Sequence, residues 1–154
     1  MQYREAIHND IPALVDIRGK KDNTEEYWVR RITGYMDRVH HPQKALMPRV
    51  IYLAIEKDTV AGFIAGHLTE RFACDGELEW IDAIPEYQGR GVAFELLKLL
   101  AQWFAEQGAR KVCVDPGNDR ARRFYTKHGA VNLNQHWMVW EDIGVVITSP
   151  SGGH

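Results

Sequence analysis

A short glycine-containing turn at residues 85–93 carries the clearest chemical signal in the sequence. Gly89 and Gly91 can adopt backbone angles that a β-carbon would crowd, so successive amide N–H groups can converge on one point. The amphipathic helix that begins here adds unpaired first-turn donors and the positive end of its dipole. Arg90 can supply a forked cationic donor to the same oxygens. The turn therefore predicts an anion site suited to a phosphate.

Two familiar phosphate motifs do not fit this turn. The mononucleotide loop needs a lysine and a hydroxyl residue after its last glycine, whereas Val92 and Ala93 follow Gly91. The dinucleotide fingerprint needs a third glycine at the position of Phe94, and it belongs to an early strand-turn-helix unit. This turn lies past the middle of the chain, so a different phosphate ligand is expected.

Three carboxylates precede the turn on a segment that is predicted to be a strand. Leu78 and Trp80 follow one alternation phase and Ile81 and Ala83 follow the other, so the apolar face changes parity between Trp80 and Ile81. A β-bulge explains that change and would splay the strand from its neighbour. The bulge would leave three acids together on the face opposite the packed one: Glu77, Glu79 and Asp82.

The composition limits the class of protein. The chain has 154 residues, 45% apolar content and a formal net charge of −2, which predicts one globular domain. No nucleic-acid partner is expected, because such partners need clustered positive charge and the basic group at residues 120–123 is explained by a solvated helix face. No apolar run suits a membrane and residues 1–5 lack a secretory pattern, which predicts a cytoplasmic protein. Cys74 and Cys113 are predicted to be reduced thiols.

The rest of the chain alternates between strand and helix patterns. Strands are predicted at residues 2–7, 50–55, 60–68, 77–84 and 111–115, and an antiparallel return at residues 132–140 is predicted to continue into 143–147. Helices are predicted after residue 9, from an Asn23 cap towards Val39, after the turn, and after Asn118, with stops at Gly19, Gly108 and Gly129. The strand-turn-helix-strand unit of residues 77–115 predicts a parallel crossover.

Two motifs in register point to one family. Gln88 to Ala93, preceded by Pro85 and followed by a long helix, resembles the acetyl-CoA pyrophosphate loop of the GNAT superfamily of N-acetyltransferases. A second pattern matches the same family at the expected distance: Asn118, Ala121, Phe124, Tyr125, Gly129 and Ala130. The resemblance covers roughly residues 3–140.

The resemblance implies an α/β (α+β) fold of three layers. A central mixed, mostly antiparallel sheet of six or seven strands, with a splayed parallel pair, would be flanked by about four helices. We expect a single acetyltransferase domain at residues 1–147 and a flexible tail at residues 148–154.

The resemblance also implies acetyl-CoA as the co-substrate. Its pyrophosphate would lie on the turn, and its pantetheine amides would bond to the backbone where the strands ending at residues 84 and 115 diverge. No metal is expected, because the adjacent His40 and His41 point apart and lack a third ligand at a useful spacing. The predicted cofactor-binding residues are Ala83, Ile84, Gln88, Gly89, Arg90, Gly91, Val92, Ala93, Asn118 and Tyr125.

An amine acceptor is mostly protonated at neutral pH and must lose a proton before it attacks a thioester. We expect Glu79 or Asp82 to take this proton, directly or through water, with Glu77 third. Each of these acids could instead belong to a solvated acidic strand end.

The remaining chemistry concerns the oxyanion and the leaving thiolate. A backbone N–H near Ala83 or Ile84 is expected to stabilise the oxyanion. The family position implies that Tyr125 protonates the thiolate, whereas its residue type alone favours a core aromatic. Cys113 lies among apolar strand residues with no histidine placed to activate it, so direct transfer is preferred over a covalent intermediate.

The leading hypothesis is an acetyl-CoA-dependent acyltransferase that moves an acetyl group to a primary amine of a small molecule or peptide. The alternative is a CoA-binding regulatory or interaction domain with the same fold and no turnover. Transfer to aminoacyl-tRNA is disfavoured by the negative net charge. The acceptor pocket is expected to involve the first two helices and residues 40–48. A homodimer is predicted through late apolar residues: Trp137, Val139, Trp140, Val145, Val146 and Ile147.

Overall fold

One mixed sheet with helices on both faces organises the chain. The computed structural model describes residues 1–19 and 24–148. The strands in this part of the chain are β1 (Gln2–Glu5), β2 (Ala45–Glu56), β3 (Thr59–Thr69), β4 (Gly76–Ala83), β5 (Val112–Val114), β6 (Val131–Asn132) and β7 (Met138–Trp140). The α-helices are α1 (Ile11–Gly19), α2 (Glu25–Met36), α3 (Val92–Glu106), α4 (Asp119–Lys127) and α5 (Gly144–Ile147). The strand order is β1-β2-β3-β4-β5-β7-β6.

Only β4 and β5 are parallel among these neighbours, and the other pairs are antiparallel. The seven-stranded mixed sheet with a parallel pair confirms the predicted fold class. Within the described residues, no helix is long and apolar enough to span a membrane.

The two faces of the sheet carry separate apolar cores. On one face, α3 buries residues at helical spacing, including Leu96, Leu100 and Phe104, against the sheet. On the other face, α1 and α2 bury Leu14 and Ile32 against a second core. Each core covers one side of the sheet, which gives the expected three layers.

A β-bulge in β4 re-aims the side chains that lead into the turn. Ala65 of β3 pairs with Trp80 while Gly66 pairs with Leu78, so Glu79 is the extra residue. The bulge was predicted, but it lies at Glu79 rather than between Trp80 and Ile81. Leu78 belongs to the core under α3 and Trp80 belongs to the core under α1 and α2. The two residues therefore face opposite sides of the sheet, contrary to the predicted shared phase.

The last part of the chain differs most from the sequence prediction. The predicted strand at residues 132–140 is two short strands joined by a turn, in which the Asn134 side chain accepts hydrogen bonds from the His136 and Trp137 N–H groups. Residues 144–147 form α5 instead of a strand, because Asp142 Oδ1 accepts a hydrogen bond from the Gly144 N–H and Val146 is buried in the core under α3.

The basis for the homodimer prediction changes with this arrangement. Val139, Trp140 and Val146 are buried within the chain, so they do not form the exposed apolar surface that the prediction assumed. Only Val145 of that set is a largely exposed apolar residue. The homodimer stays a prediction without this support.

Some predictions fall at the limits of the described residues. α1 ends at Gly19, as predicted. The Asn23 cap and residues 149–154 of the predicted tail lie outside the described residues, so the assignment of residues 1–147 to one domain and of the tail to a flexible segment stays a prediction.

Candidate active site

The glycine turn has the open backbone that an anion site needs. A short 3-10 helix, Pro85–Tyr87, leads from β4 into it. Gly89 and Gly91 have φ values of 79° and 82°, in the left-handed region that favours glycine. A β-carbon built at either position meets no atom within 4 Å, so the space beside both residues is open. Since α3 begins at Val92, its first-turn N–H groups lack partners within the helix.

A cavity of about 630 Å³ adjoins the turn. Its walls are the end of β4, the turn, the start of α3 and one side of α4. Nine of the predicted cofactor-binding residues line it: Ala83, Gln88, Gly89, Arg90, Gly91, Val92, Ala93, Asn118 and Tyr125. Ile84 is not part of this lining, and Asp82 is the only one of the three candidate acids that is.

The strands β4 and β5 separate beside this cavity. They pair over three residues, from Gly76 with Val112 to Leu78 with Val114, although β4 continues to Ala83. The Ile84 N–H donates to the Ala61 carbonyl oxygen at 2.9 Å. Because hydrogen-bonding direction alternates along an antiparallel strand, the Ala83 N–H points away from β3 and towards the gap. Of the two predicted oxyanion donors, Ile84 is therefore engaged by the sheet and Ala83 faces the gap.

Gln88 braces the turn against β4 and α4. Its Nε2 donates to the Ala83 carbonyl oxygen at 2.9 Å, and its Oε1 accepts from Arg120 Nη2 at 2.8 Å. Arg90 stacks over the Tyr87 ring with 5.0 Å between the guanidinium carbon and the ring centroid. Arg120 was predicted to lie on a solvated helix face, but it lines the cavity. Its place in the first turn of α4, two residues after Asn118, was the signal that could have identified it.

Asn118 caps α4 at the edge of the cavity. Its Oδ1 accepts a hydrogen bond from the Ala121 N–H at 2.8 Å, which satisfies one first-turn donor. The side-chain oxygen is thus occupied by the cap. Asn118 can therefore donate a hydrogen bond to a ligand only through its side-chain NH₂ group.

Tyr125 is both a core residue and a cavity residue. It is 3% exposed, and its ring packs edge-on against Phe124 and Trp140. Burial, and then the negative charge of Asp82, raise the pKa of the Tyr125 hydroxyl. The hydroxyl therefore keeps its proton at neutral pH and can donate it.

Asp82 is held in an ion pair. Arg18 Nη1 of α1 donates to Asp82 Oδ2 at 2.5 Å, and the same guanidinium stacks over Trp28 at 4.8 Å from the ring centroid. Arg18 therefore occupies one oxygen of the Asp82 carboxylate with a hydrogen bond and compensates its negative charge.

Glu79 has a different environment at the bulge. Its side chain is 10% exposed, Arg31 Nη2 lies 3.8 Å from its Oε1, and its Oε2 has no hydrogen-bond partner. Burial, and then the charge of Glu77, raise the pKa of the Glu79 carboxyl. Glu77 lies deeper and accepts a hydrogen bond from Arg71 Nε at 3.0 Å. The three acids do share one side of the sheet, but α1 and α2 cover that side, so the predicted unpacked face is wrong.

His67 was not among the residues predicted for the site. This residue lies on β3 between apolar neighbours, is fully buried, and pairs in register with Glu77. A histidine in a central strand resembles an ordinary core position in sequence, so only the strand register could have placed it beside the acids.

Among the described residues, the histidines and acids were expected to form no metal site. His41 Nδ1 lies 2.9 Å from Arg49 Nη2, away from the acids. His67, Glu77 and Glu79 have polar atoms within 4.8 Å of one another. Arg71 and Arg31 already lie against the two carboxylates, which compensates their charge without an ion.

The two cysteines are free and buried. Burial raises the pKa of the Cys113 thiol far above its usual range, which keeps it un-ionised. The sequence prediction of an inert thiol is confirmed.

Comparison with known proteins agrees with this geometry. The family model described as "Acetyltransferase (GNAT) family" matches residues 18–130. A search of curated protein sequences finds no match to the chain. Among solved structures, aminoglycoside 6'-acetyltransferase type Ii has a TM-score of 0.73 at 15% identity, covering 93% of this chain and 97% of that chain. The match shows a shared fold.

Two further solved structures contain the cofactor. The PaiA N-acetyltransferase from Thermoplasma acidophilum, in complex with coenzyme A, has a TM-score of 0.66 at 17% identity and covers 90% of this chain and 96% of that chain. An aminoglycoside 6'-N-acetyltransferase complexed with coenzyme A has a TM-score of 0.68 at 15% identity, covering 93% and 97%. The chain belongs to the GNAT acetyltransferase family, as the matched family model shows.

Proposed function

We propose that this chain is an acetyl-CoA-dependent N-acetyltransferase that moves an acetyl group directly to a primary amine of a small molecule or peptide. One observation carries the proposal: a single cavity is lined by the glycine turn, by Ala83 at the strand gap and by Tyr125. An anion site, a backbone donor and a protonated hydroxyl are the parts that thioester aminolysis needs.

The chain's own groups fit the co-substrate. Acetyl-CoA supplies the acetyl group as an activated thioester. The open N–H groups of the turn and of the first turn of α3 suit its pyrophosphate, and Arg90 and Arg120 add positive charge beside them. The unpaired edge of β4 beyond Leu78 suits the pantetheine amides.

Glu79 is the stronger candidate for the general base. A base must be free to accept a proton, and Glu79 Oε2 has no hydrogen-bond partner while Asp82 is held by Arg18. The raised pKa of Glu79 makes its carboxylate a better proton acceptor near neutral pH. Glu79 does not line the cofactor cavity, so in this proposal it takes the proton of the amine directly or through water.

Two groups complete the transfer. The Ala83 N–H faces the gap, where it can stabilise negative charge on the thioester oxygen. As the carbon–sulfur bond breaks, Tyr125 can give its proton to the departing sulfur. Direct attack by the amine is preferred because the buried Cys113 thiol cannot serve as a nucleophile.

Amine-dependent thiol release from acetyl-CoA tests the proposal. The panel contains an aminoglycoside, a polyamine, a free amino acid and a peptide with a free N-terminus, and product mass identifies an acetylated amine. We expect at least one amine to raise thiol release well above the rate with buffer alone. Tight CoA binding with no release for any amine would favour the regulatory-domain alternative.

A further inference from the structure

A group of polar side chains is buried beneath α2, outside the cofactor cavity. It comprises Tyr35 on α2, His67 on β3, and Glu77 and Glu79 on β4, and we call it the His67 cluster. Tyr35 and His67 are fully buried, and Glu77 is 5% exposed. Burying polar groups of this kind costs free energy unless hydrogen bonds or opposite charges compensate them.

The contacts in the His67 cluster form a chain that ends at Glu79. The Tyr35 hydroxyl lies 2.9 Å from His67 Nδ1, and Glu79 Oε2 lies 3.9 Å from the same nitrogen. On the other side of the ring, His67 Nε2 lies 3.5 Å from Glu77 Oε1. Each ring nitrogen therefore lies near one carboxylate, and the polar atoms of His67, Glu77 and Glu79 all lie within 4.8 Å of one another.

Two buried atoms of the His67 cluster have no hydrogen-bond partner: His67 Nε2 and Glu79 Oε2. Most buried polar atoms in folded proteins are paired, and exceptions concentrate where chemistry occurs. An unpaired carboxylate oxygen beside an incompletely paired imidazole is a site where a proton can be gained without breaking an existing hydrogen bond.

Charged and polar groups from several elements lie around the His67 cluster. Arg31 and Tyr35 come from α2, Arg49 from β2 stacks on the Tyr35 ring, and Arg71 pairs with Glu77. From α1, the ion pair of Arg18 with Asp82 lies along the same side of β4. Glu77 makes a protonated Glu79 more favourable, whereas Arg31 and charge on His67 act in the opposite direction.

We propose that His67 and Glu77 are positioning residues for Glu79, which together fix its carboxylate at the β4 bulge and set the pH at which it accepts a proton. The inference rests on the proposed function, in which Glu79 is the general base. Tyr35 holds the imidazole, and the imidazole and Glu77 flank the one carboxylate oxygen that remains free. His67 and Glu77 need not touch substrate to act in this way.

The first test does not depend on activity. Carbon-13 NMR of the Glu79 carboxyl group follows its titration in the ligand-free protein with a chelator present. We expect Glu77→Gln to move the Glu79 titration to lower pH, because a like charge is removed, and His67→Gln to move it to higher pH, because the favourable electrostatic contact of the imidazole with the carboxylate is lost. Glu141→Gln, a remote exposed variant, should leave it unchanged. An unchanged Glu79 titration in folded Glu77→Gln protein overturns the inference even if His67→Gln does not fold.

The second test uses turnover. The acid limb of kcat/KM should shift in the same direction as the Glu79 titration in each variant, and kcat should fall by on the order of 10²-fold if the carboxylate is misplaced. Acetyl-CoA affinity should stay at the parental value. Active variants with the parental acid limb would overturn the inference. Shifted Glu79 titrations in a protein that turns over no amine would instead overturn the proposed function and leave the His67 cluster intact.

Discussion

Tyr125 is the residue at which packing and chemistry overlap most closely, because it is buried in the core and also lines the cavity. Tyr125→Phe keeps the ring and its edge contacts with Phe124 and Trp140 but removes the proton. We expect kcat to fall by about 10- to 1000-fold, the range of general-acid effects. Acetyl-CoA affinity and thermal stability should change little. Steady-state kinetics, calorimetric titration and thermal unfolding measure these three quantities.

A second tyrosine provides the control for that experiment. Tyr52→Phe removes a phenol from β2, outside the cavity lining, and should leave kcat unchanged. Parental turnover in Tyr125→Phe would mean that the thiolate leaves unassisted or takes its proton from water.

Glu79 and Asp82 make different predictions for the pH dependence of the reaction. A base must be ionised, so kcat/KM of the parental enzyme should fall as pH decreases through the raised pKa of Glu79. Glu79→Gln should remove this acid limb and lower the rate by about 100-fold or more. Asp82→Asn, which loses the ion pair with Arg18, should retain the limb. Loss of the limb in Asp82→Asn alone would assign the base to Asp82.

The same residue makes a prediction about stability. The pKa of Glu79 is raised in the folded state, so its protonated form is favoured by folding and this contribution is lost as pH rises through that pKa. Glu79→Gln resembles the protonated form. Thermal unfolding should therefore show a mutant Tm that rises relative to the parental Tm as the pH increases from the unfolded-state pKa of a glutamate, about 4.3, through the raised pKa of Glu79. A Tm difference that falls over this interval would contradict the buried environment assigned to Glu79.

Individual site residues differed in how far the sequence could predict them. Asn118 and Tyr125 belong to a local motif, so their place in the cavity was predicted. His67 and Arg120 were missed, because their neighbours come from other elements and one-dimensional spacing does not show which side chains meet. For the same reason, the sequence did not decide between Glu79 and Asp82 as the general base. The ion pair of Arg18 with Asp82 now favours Glu79.

At the scale of elements, the bulge in β4 shows why side-chain parity is a limited guide. The sequence correctly indicated a bulge, but it placed Leu78 and Trp80 on one face. Both faces of this sheet are covered by helices, so an apolar residue fits either one. In a strand that is buried on both sides, an apolar side chain alone therefore does not indicate which face the residue occupies.

The C-terminal segment shows the same problem for secondary structure. The β-branched run at residues 145–147 favours a strand by propensity. Instead, Asp142 Oδ1 accepts a hydrogen bond from the Gly144 N–H, and burial of Val146 against the core under α3 stabilises a short helix. A tertiary contact overrides a propensity worth less than about 1 kcal/mol per residue.

The role of the glycine turn can be tested by substituting Gly91, with Gly108 as the matched control. Gly91→Glu places a bulky anion in the open space assigned to the pyrophosphate, so coenzyme A should no longer raise Tm. Gly108→Glu carries similar strain, because both glycines have positive φ and open surroundings, but Gly108 lies beyond the other end of α3. Each should lose about 1–2 kcal/mol of folding stability.

Thermal shift separates the two glycine variants. A ligand at 100 times its Kd stabilises by about 2.7 kcal/mol, which is readily measured. Gly108→Glu should keep the parental Tm shift with coenzyme A. A normal shift in folded Gly91→Glu would mean that the phosphate site lies elsewhere.

At the scale of the whole molecule, the fold followed from patterns that are local in sequence. The strands at residues 50–55 and 60–68 and the helix after the turn each follow a strand or helix pattern in the sequence. The two family motifs match at the expected distance from one another. The amine acceptor did not follow, because the acceptor surface that we propose is assembled from α1, α2 and the carboxylate side of β4. Arginines from both helices compensate the acids there, a balance that the net charge of −2 does not reveal.

The central claim is that acetyl-CoA binds between the glycine turn and the gap beside β4, and a crystal structure with acetyl-CoA tests it most directly. We predict the pyrophosphate on the N–H groups of residues 89–93, the thioester oxygen at hydrogen-bond distance from the Ala83 N–H, and the sulfur next to the Tyr125 hydroxyl. A pyrophosphate bound away from the turn, or a thioester remote from both Ala83 and Tyr125, would contradict the account.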